Sequence, residues 1–304
     1  MPLLKNKERP IMKERPMMAS KEPSIFRPPG EANSFLLRVT QGCSHNQCTF
    51  CSMYRQVRFR VRSWTEVEKE IIQTALHHPF LRRVFLADGN ALVLGTAKLL
   101  NIINTLHRHF PKLSRVTCYA APGDILKKSP QELDALKQAG LRMIYMGIES
   151  GDDGVLAAVN KGITSDGIIT AGQKVLQAGM KLSTMVILGL GGREKSRVHA
   201  ANTAQVISLI NPTMLNFLTL TLYDGTPLKE EASKGNFQPL TPLETLFELK
   251  EILEQVSLVR PCILRSDHLS NPLPLAGILP KDQKNLLQDV ASLLPTLQIR
   301  SPFL

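Results

Sequence analysis

Three cysteines lie within nine residues of one another, at Cys43, Cys48 and Cys51. Their spacing is Cys-x4-Cys-x2-Cys, and short loops of this kind deliver thiolates to iron–sulfur clusters. A cubane with four irons and only three thiolates keeps one iron open to an exogenous ligand. The sequence therefore predicts a [4Fe–4S] cluster whose protein ligands are these three cysteines.

Zinc is the alternative metal for this loop, with His45 as a fourth ligand. Against zinc, His45 is only two residues from Cys43, whereas zinc sites normally pair ligands from two separated knuckles. Unrelated buried cysteines are a third interpretation. A disulfide framework is rare under reducing conditions, and Cys118 and Cys262 are isolated in the chain.

Three further segments end or directly follow predicted buried strands: Asp88-Gly89-Asn90-Ala91, Glu149-Ser150-Gly151 and Val186-Ile187-Leu188-Gly189. The carboxyl ends of parallel strands meet at one edge of a sheet, where α/β folds place their chemistry. Simpler explanations exist, since Asp88 could cap a following helix region and the glycines could form a turn. An unpaired carboxylate at a strand end is costly, which favours a ligand role for Glu149.

Together, these segments and the cysteine loop resemble the radical S-adenosylmethionine (SAM) superfamily over about residues 35–230. Phe50 occupies the aromatic position before the third cysteine, where the family packs an aromatic near the SAM adenine, although it also fits plain core packing. The resemblance implies SAM contacts from three strand ends. The implied contacts are Asp88, Gly89 and Asn90 to the amino group, Glu149 and Ser150 near the ribose and methionine, and Ile187 and Gly189 beside the adenine.

The resemblance implies an enzyme whose cofactors are a [4Fe–4S] cluster and SAM. In this family the reduced cluster cleaves SAM to methionine and a 5′-deoxyadenosyl radical, which abstracts hydrogen from a substrate. An external electron donor, flavodoxin-like or ferredoxin-like, is then required. The commonest family spacing is Cys-x3-Cys-x2-Cys, and the turn at Asp88 lacks the family's usual first glycine and glutamate, so the subfamily is unassigned.

Short apolar runs alternate with amphipathic segments along the chain, which predicts strands and helices in alternation. The predicted strands are Phe35–Thr40, Arg83–Ala87, Arg115–Ala120, Arg142–Ile148, Lys181–Leu188 and Met214–Leu222. The predicted helices are 65–77, 96–109, 130–139, 164–178, 194–209 and 242–257, with a last helix near 282–293. Ser63 or Thr65 is expected to cap the first helix, and Gly140 and Gly179 to end the third and fourth.

Six β-then-α units imply a parallel sheet covered by helices, as a doubly wound sheet or a barrel. We predict an α/β fold, a partial (β/α)6 TIM-like barrel over residues 33–258. Residues 1–32 hold seven basic and three acidic side chains up to residue 30 and are predicted to form a flexible, basic, Pro-rich arm. Residues 259–304 are predicted to form an irregular C-terminal cap.

A barrel of six strands leaves a lateral gap, and the chain after the sixth strand is available to cover it. Arg265, His268 and Asn271 lie there, and Tyr223 follows the sixth strand, so we expect these four to contact substrate. Arginine grips carboxylates or phosphates in a two-pronged geometry, and histidine moves protons near neutral pH. A hydrogen-bonded outer loop is the alternative. Other basic residues are expected to be solvated, although Lys161 could reach an anionic end of SAM.

The formal net charge of +11 suits anionic partners without separating nucleic acid from a small carboxylated or phosphorylated substrate. Because two remaining cysteines are too few for a second cluster domain, and no long segment precedes the loop, we expect no second cluster and no cobalamin domain. A small-molecule or cofactor-biosynthetic substrate is therefore predicted. The alternatives are a tRNA-modifying enzyme and a non-catalytic iron–sulfur protein in electron transfer or sensing. With no apolar run long enough for a membrane span and no signal peptide, a cytoplasmic location is expected.

Overall fold

The computed structural model describes residues 25–300 and shows a mixed α/β fold built on one main sheet. All six predicted strands are present, two short strands lie between the first and the second of them, and two more follow the sixth. The ten strands are β1 Phe35–Arg38, β2 Thr40–Gln41, β3 Arg60–Val61, β4 Arg83–Ala87, β5 Arg115–Tyr119, β6 Leu141–Glu149, β7 Lys181–Leu188, β8 Met214–Thr219, β9 Cys262–Arg265 and β10 Ala276–Leu279.

The strand order identifies the sheet as an incomplete barrel. Eight strands pair in the order β1-β4-β5-β6-β7-β8-β9-β10, which follows the chain without reversal. A doubly wound sheet would reverse direction part-way, so this order excludes that alternative. Neighbours are parallel except β9 and β10, and no pairing joins β1 to β10 within residues 25–300. The predicted partial barrel is therefore confirmed.

The described residues form ten α-helices, most of which pack against the outer face of this sheet. They are α1 Trp64–His77, α2 Thr96–His109, α3 Pro122–Leu126, α4 Pro130–Ala139, α5 Asp153–Ala158, α6 Ser165–Gln177, α7 Gly192–Ile210, α8 Pro227–Ser233, α9 Pro242–Gln255 and α10 Gln283–Arg300. Ser63 forms a capping box with Glu66 at the start of α1, and Gly140 ends α4, as predicted. No helix of this region is both long and apolar enough to cross a bilayer.

The two faces of the sheet have different surroundings. Residues such as Val84, Ile144 and Leu264 face the helices and belong to the main hydrophobic core. On the other face, Phe85 and Tyr145 pack with Ala87 and Met143 and fill the part of the barrel interior near the amino ends of the strands. Because parallel strands alternate their side chains, each strand sends every second residue into this interior.

Both ends of the barrel differ from the predicted boundaries. The predicted first strand stops at Arg38, and Thr40–Gln41 pairs instead with Arg60–Val61 in a separate two-stranded ribbon. At the other end, the predicted cap contributes strands β9 and β10 to the sheet. These strands were not predicted, because their apolar runs are too short to show a clear periodicity. Residues 1–24 of the predicted arm lie outside the described residues, and Ile25 packs against the interior face.

Candidate active site

The three cysteines lie on the loop that connects the two strands of the β2–β3 ribbon. All three thiols are free, and the residues are partly buried. Burial raises the pKa of Cys48 to about 11 and also raises the pKa of Cys51. Metal binding at this loop would therefore expel protons from the thiols.

Arg55 braces the cysteine loop from within. Its Nε atom donates to the carbonyl oxygen of Cys51 and its Nη2 atom to that of Cys48, each over 3.0 Å. Asn46, in the left-handed conformation with φ of 44°, donates through Nδ2 to the carbonyl oxygen of Tyr54 over 2.8 Å. These bonds fix the loop backbone that carries two of the three thiols.

Asp88 anchors the same loop from the end of β4. Its fully buried carboxylate accepts a 2.6 Å hydrogen bond from the Tyr54 hydroxyl and a 3.4 Å bond from the Gly42 backbone, and Arg38 lies 3.6 Å away. Burial raises the pKa of Asp88, while Tyr54, Arg38 and Gly42 all oppose that shift. The Asp88 side chain is thus engaged in holding the loop, and the backbone of this turn is left to contact a ligand.

Gly89 and Asn90 complete the contact between the β4 turn and the cysteine loop. A Cβ atom on Gly89 would lie 2.7 Å from the Tyr54 ring and 3.1 Å from Cβ of Cys43, so only glycine fits there. Asn90 is fully buried and donates to Ser44 over 2.7 Å and to Asp124 over 2.5 Å. Both residues join the strand end to the loop.

Glu149 ends β6 in a left-handed conformation, with φ of 65°. Non-glycine residues seldom adopt this conformation, and it concentrates at functional sites. The carboxylate forms a 2.8 Å ion pair with Lys161, and both side chains are mostly buried. Lys161 and Glu149 both act electrostatically on Cys48, so this pair lies beside the cysteine loop.

Behind the strand ends, a buried polar network joins β6 to β7. The Ser150 hydroxyl lies 2.8 Å from Nδ1 of His199, whose Nε2 is 3.5 Å from Glu248. Glu248 in turn accepts a 2.6 Å bond from the Gly189 backbone. Burial lowers the pKa of His199 to about 4 and raises that of Glu248 to about 7. Ser150 and Gly189 are thereby fixed from the helix side.

Phe50 and Ile187 come together in one apolar group. Both are partly buried and pack with the buried side chains of Val155, Leu190 and Leu228. The backbone before the third cysteine is held here, because Thr49 donates to the carbonyl of Val159 over 3.0 Å. The sequence prediction placed both residues beside the SAM adenine, and in the structure their side chains belong to the same apolar group.

His45 contacts a segment of the chain outside the cysteine loop. Its Nε2 atom lies 2.8 Å from the carbonyl oxygen of Asn160, and its ring occupies the space that a Cβ on Gly162 would need. Within the described chain, no three His, Cys, Asp or Glu side chains converge on a single ion. A cubane places each thiolate on a different iron, so it needs no such convergence. The contacts of His45 favour the cluster over zinc.

The upper interior of the barrel has a wall that the sequence prediction largely missed. Gly147, Met185, Asn216 and Arg265 are register partners across β6, β7, β8 and β9. Cys262 and Leu264 belong to the helix-side core, so Arg265 falls on the interior face. Tyr119, the register partner of Tyr145, adds an aromatic ring to the same interior face one layer closer to the amino ends of the strands. The sequence feature that could have revealed this wall is Asn216, a polar residue between the apolar residues of β8.

The remaining predicted substrate residues have other surroundings. Asn271 donates to the carbonyl oxygens of Phe217 and Ser266 and accepts from Thr219, so its amide joins the last loop to β8. His268 is exposed and lies 2.8 Å from the Ser270 hydroxyl, and Tyr223 is about half exposed at 51%. Of the four, Arg265 has the position best suited to a ligand in the barrel.

A family model described as the radical SAM superfamily matches residues 37–203, which is more than half of the chain. The chain belongs to the radical SAM superfamily. Members of this superfamily are enzymes, and membership implies a [4Fe–4S] cluster and SAM as cofactors. The matched residues contain the cysteine loop and the ends of β4, β6 and β7.

Individual radical SAM relatives are distant. The chain is 24% identical over 232 residues to an uncharacterized methyltransferase of Pyrococcus horikoshii, covering 73% of this chain and 48% of that protein. It is 25% identical over 171 residues to the heme chaperone HemW of Bacillus subtilis, covering 53% and 44% respectively. The chain thus spans about half the length of the curated relatives it matches.

Solved structures support the radical SAM fold. Methylornithine synthase (PylB) aligns with a TM-score of 0.53 at 16% identity, covering 84% of this chain and 68% of that one. Coproporphyrinogen III oxidase (HemN) of Escherichia coli aligns with a TM-score of 0.54 at 16% identity, covering 73% and 51%. At such identities, the alignments show the partial barrel fold alone.

Proposed function

We propose that this protein uses a [4Fe–4S] cluster and SAM to abstract hydrogen from a small, anionic substrate bound inside the barrel. The observation that carries the proposal is the braced loop of three free thiols beside the Glu149–Lys161 pair. Three thiolate donors on one loop fit a cubane with one open iron, and residues 25–300 place no other cysteine on that loop.

The protein's own residues would position the cofactors and exclude water. When bound, the reduced cluster supplies the electron that cleaves SAM and so generates the 5′-deoxyadenosyl radical. Cys43, Cys48 and Cys51 would hold the cluster, and Arg55 and the Tyr54 hydroxyl keep their loop in place. Hydrogen bonds from buried groups limit the movement of this loop.

SAM would be contacted by the three strand ends. The apolar group of Phe50 and Ile187 suits an adenine ring, and the Glu149–Lys161 pair offers a partner for each sign of charge on the methionine part of SAM. Because the Asp88 carboxylate is engaged with Tyr54, the SAM ammonium would be met by backbone carbonyls of the turn. Ser150 would act from behind, through its bond to His199.

The barrel interior supports a small substrate with an anionic group. Tyr119 and Met185 give its wall an apolar character, Asn216 donates hydrogen bonds to the barrel wall, and Arg265 adds a cation on the same face. Arginine can bind a carboxylate or phosphate through two parallel hydrogen bonds. Such a substrate class is consistent with a cofactor-biosynthetic role, and an external electron donor would reduce the cluster.

Anaerobic reconstitution followed by reduction and addition of SAM tests the proposal. Wild-type protein should release 5′-deoxyadenosine and methionine slowly, and Cys48→Ala should release neither, while Cys118→Ala serves as the matched cysteine control. A cluster-replete, reduced protein that binds no SAM would instead indicate an electron-transfer or sensor protein.

The substrate class requires a second experiment. The rate of 5′-deoxyadenosine release should rise when an ultrafiltrate of a cell extract is added, and Arg265→Lys should remove that rise while preserving the basal rate. If the tRNA fraction raises this rate and the ultrafiltrate does not, and if ribonuclease abolishes the rise, the result would favour tRNA modification and overturn the small-molecule assignment.

A further inference from the structure

A second pocket lies at the amino ends of the barrel strands, at the opposite end of the sheet from the cysteine loop. Its lining residues are Arg83, Ser114, Arg115, Arg142, Met143 and Lys181, and its volume is about 320 Å³. This volume falls at the lower end of the range for small-molecule pockets, although such pockets are usually apolar. Here four of the six lining residues are cations.

The register of four adjacent strands brings these cations together. Arg83 on β4 is the partner of Arg115 on β5, and Lys181 on β7 is the partner of Met143 on β6. Neighbouring strands lie about 4.8 Å apart, so the four strands span roughly 15 Å. The four charges are therefore confined to one end of the barrel.

A register irregularity adds Arg142 to this group. Val116 pairs with Leu141 and Thr117 with Met143, so Arg142 is the extra residue of a bulge between β5 and β6. Bulges redirect a side chain at the rim of a barrel. The local backbone thus places one more cation in a pocket that already holds three.

The charge in this pocket is mostly uncompensated. Arg115 forms a 2.7 Å ion pair with Glu31, a fully buried carboxylate that also accepts from the Tyr145 hydroxyl over 2.7 Å. Arg83, Arg142 and Lys181 make no ion pair with the described part of the chain. Arg83, Arg142 and Lys181 are exposed to solvent, so their charges are open to an anion that enters the pocket.

We propose that this pocket is a second ligand site, which binds a small molecule through a phosphate or pyrophosphate group. Guanidinium groups match phosphate oxygens with paired hydrogen bonds, and Lys181 adds a compact charge. The four cations are grouped around one half-open pocket, whereas a nucleic-acid backbone is tracked by cations spread along a longer surface. The site lies apart from the strand ends that would hold SAM, so it does not depend on the proposed function.

Titration calorimetry of the full-length protein with pyrophosphate tests this site. The wild type should bind about one pyrophosphate per chain, and Arg83→Gln or Arg142→Gln should each weaken binding at least tenfold. Arg197→Gln, which removes an exposed arginine on α7, is the matched control and should leave the affinity unchanged. Pyrophosphate should also raise the thermal midpoint of the wild type more than that of Arg142→Gln.

Two results would overturn the proposal. One is equal pyrophosphate affinity in the wild type, Arg142→Gln and Arg197→Gln, which would indicate general attraction to a basic surface. The other is tight binding of bulk tRNA that is lost in Arg142→Gln while pyrophosphate binds nowhere, which would assign the pocket to nucleic acid. Thermal midpoints of the variants without ligand verify that each one folds.

Discussion

A Cβ atom on Gly147 would lie only 1.9 Å from Oε1 of Glu149, two residues further along β6. The Glu149 carboxylate therefore occupies the space that a side chain at position 147 would take. The same Cβ would come within 3.2 Å of the Lys161 ammonium group. Glycine at this position is thus a requirement of the Glu149–Lys161 pair, not of the strand.

Gly147→Ala is therefore expected to displace Glu149 and weaken SAM binding. Loss of a charge-assisted contact would cost about 1.5–3 kcal/mol of binding free energy. Gly123→Ala is the matched control, because a Cβ there meets nothing within 4 Å. Calorimetry with SAM on cluster-replete protein measures both variants. Unchanged SAM affinity in Gly147→Ala would show that Glu149 does not contact the cofactor.

Cluster content is expected to depend on three of the five cysteines. Reconstituted protein should hold about four irons and four sulfides per chain, and replacing Cys43, Cys48 or Cys51 with alanine should abolish the cluster. Cys118 and Cys262 are fully buried within the main core, so alanine there should leave the cluster intact. Iron and sulfide analysis with absorbance spectroscopy checks this, and stoichiometric zinc without iron–sulfur absorbance would contradict it.

Tyr54→Phe is expected to loosen the cysteine loop without touching a thiol. The substitution removes the 2.6 Å bond to Asp88 and leaves a buried carboxylate short of a partner, at a cost of about 1–3 kcal/mol. The cluster should then be lost faster on exposure to a chelator. Tyr223→Phe, at an exposed position, is the control and should match the wild type. Equal rates of loss in both variants would disprove the anchoring role.

The sequence was sufficient to predict the barrel strands because each is a short apolar run with clear turn signals. The boundaries of Arg83–Ala87 and Lys181–Leu188 agree with the structure to the residue. Strands β9 and β10 were missed because four-residue runs beside prolines and polar loops carry little periodicity. Their place in the sheet depends on pairing with β8, which is a long-range contact.

The candidate site was predictable in part for the same reason. Strand ends are visible in a sequence, so Glu149 and the cysteine loop could be predicted as cofactor contacts. The hydrogen bond from Tyr54 to the Asp88 carboxylate could not be predicted, since Tyr54 lies 34 residues earlier in the chain. Similarly, Arg55 donates to the carbonyl oxygens of Cys48 and Cys51, and the spacing of these residues in the sequence does not predict that contact.

The buried pair of Glu248 and His199 predicts how stability depends on pH. Burial raises the pKa of Glu248 from 4.5 to about 7. Between these pH values the Glu248 carboxyl binds more protons in the folded state than in the unfolded state, so the stability of the fold falls as pH rises. Burial lowers the pKa of His199 from 6.5 to about 4, so its contribution rises with pH over that range.

Glu248→Gln is expected to remove the fall in stability with rising pH that Glu248 causes and to retain the rise in stability that His199 causes. From pH 5 to pH 8 the variant should gain stability relative to the wild type by up to about 3 kcal/mol, because the wild type must increasingly bury a charged carboxylate. Urea unfolding of the apoprotein at both pH values measures this difference, with Glu251→Gln on the same helix as the control. The Glu248 carboxylate accepts hydrogen bonds from the Ser196 hydroxyl and the Gly189 backbone. If the variant instead becomes less stable relative to the wild type as pH rises, Glu248 is charged in the folded protein at pH 5 and stabilises it through these two bonds.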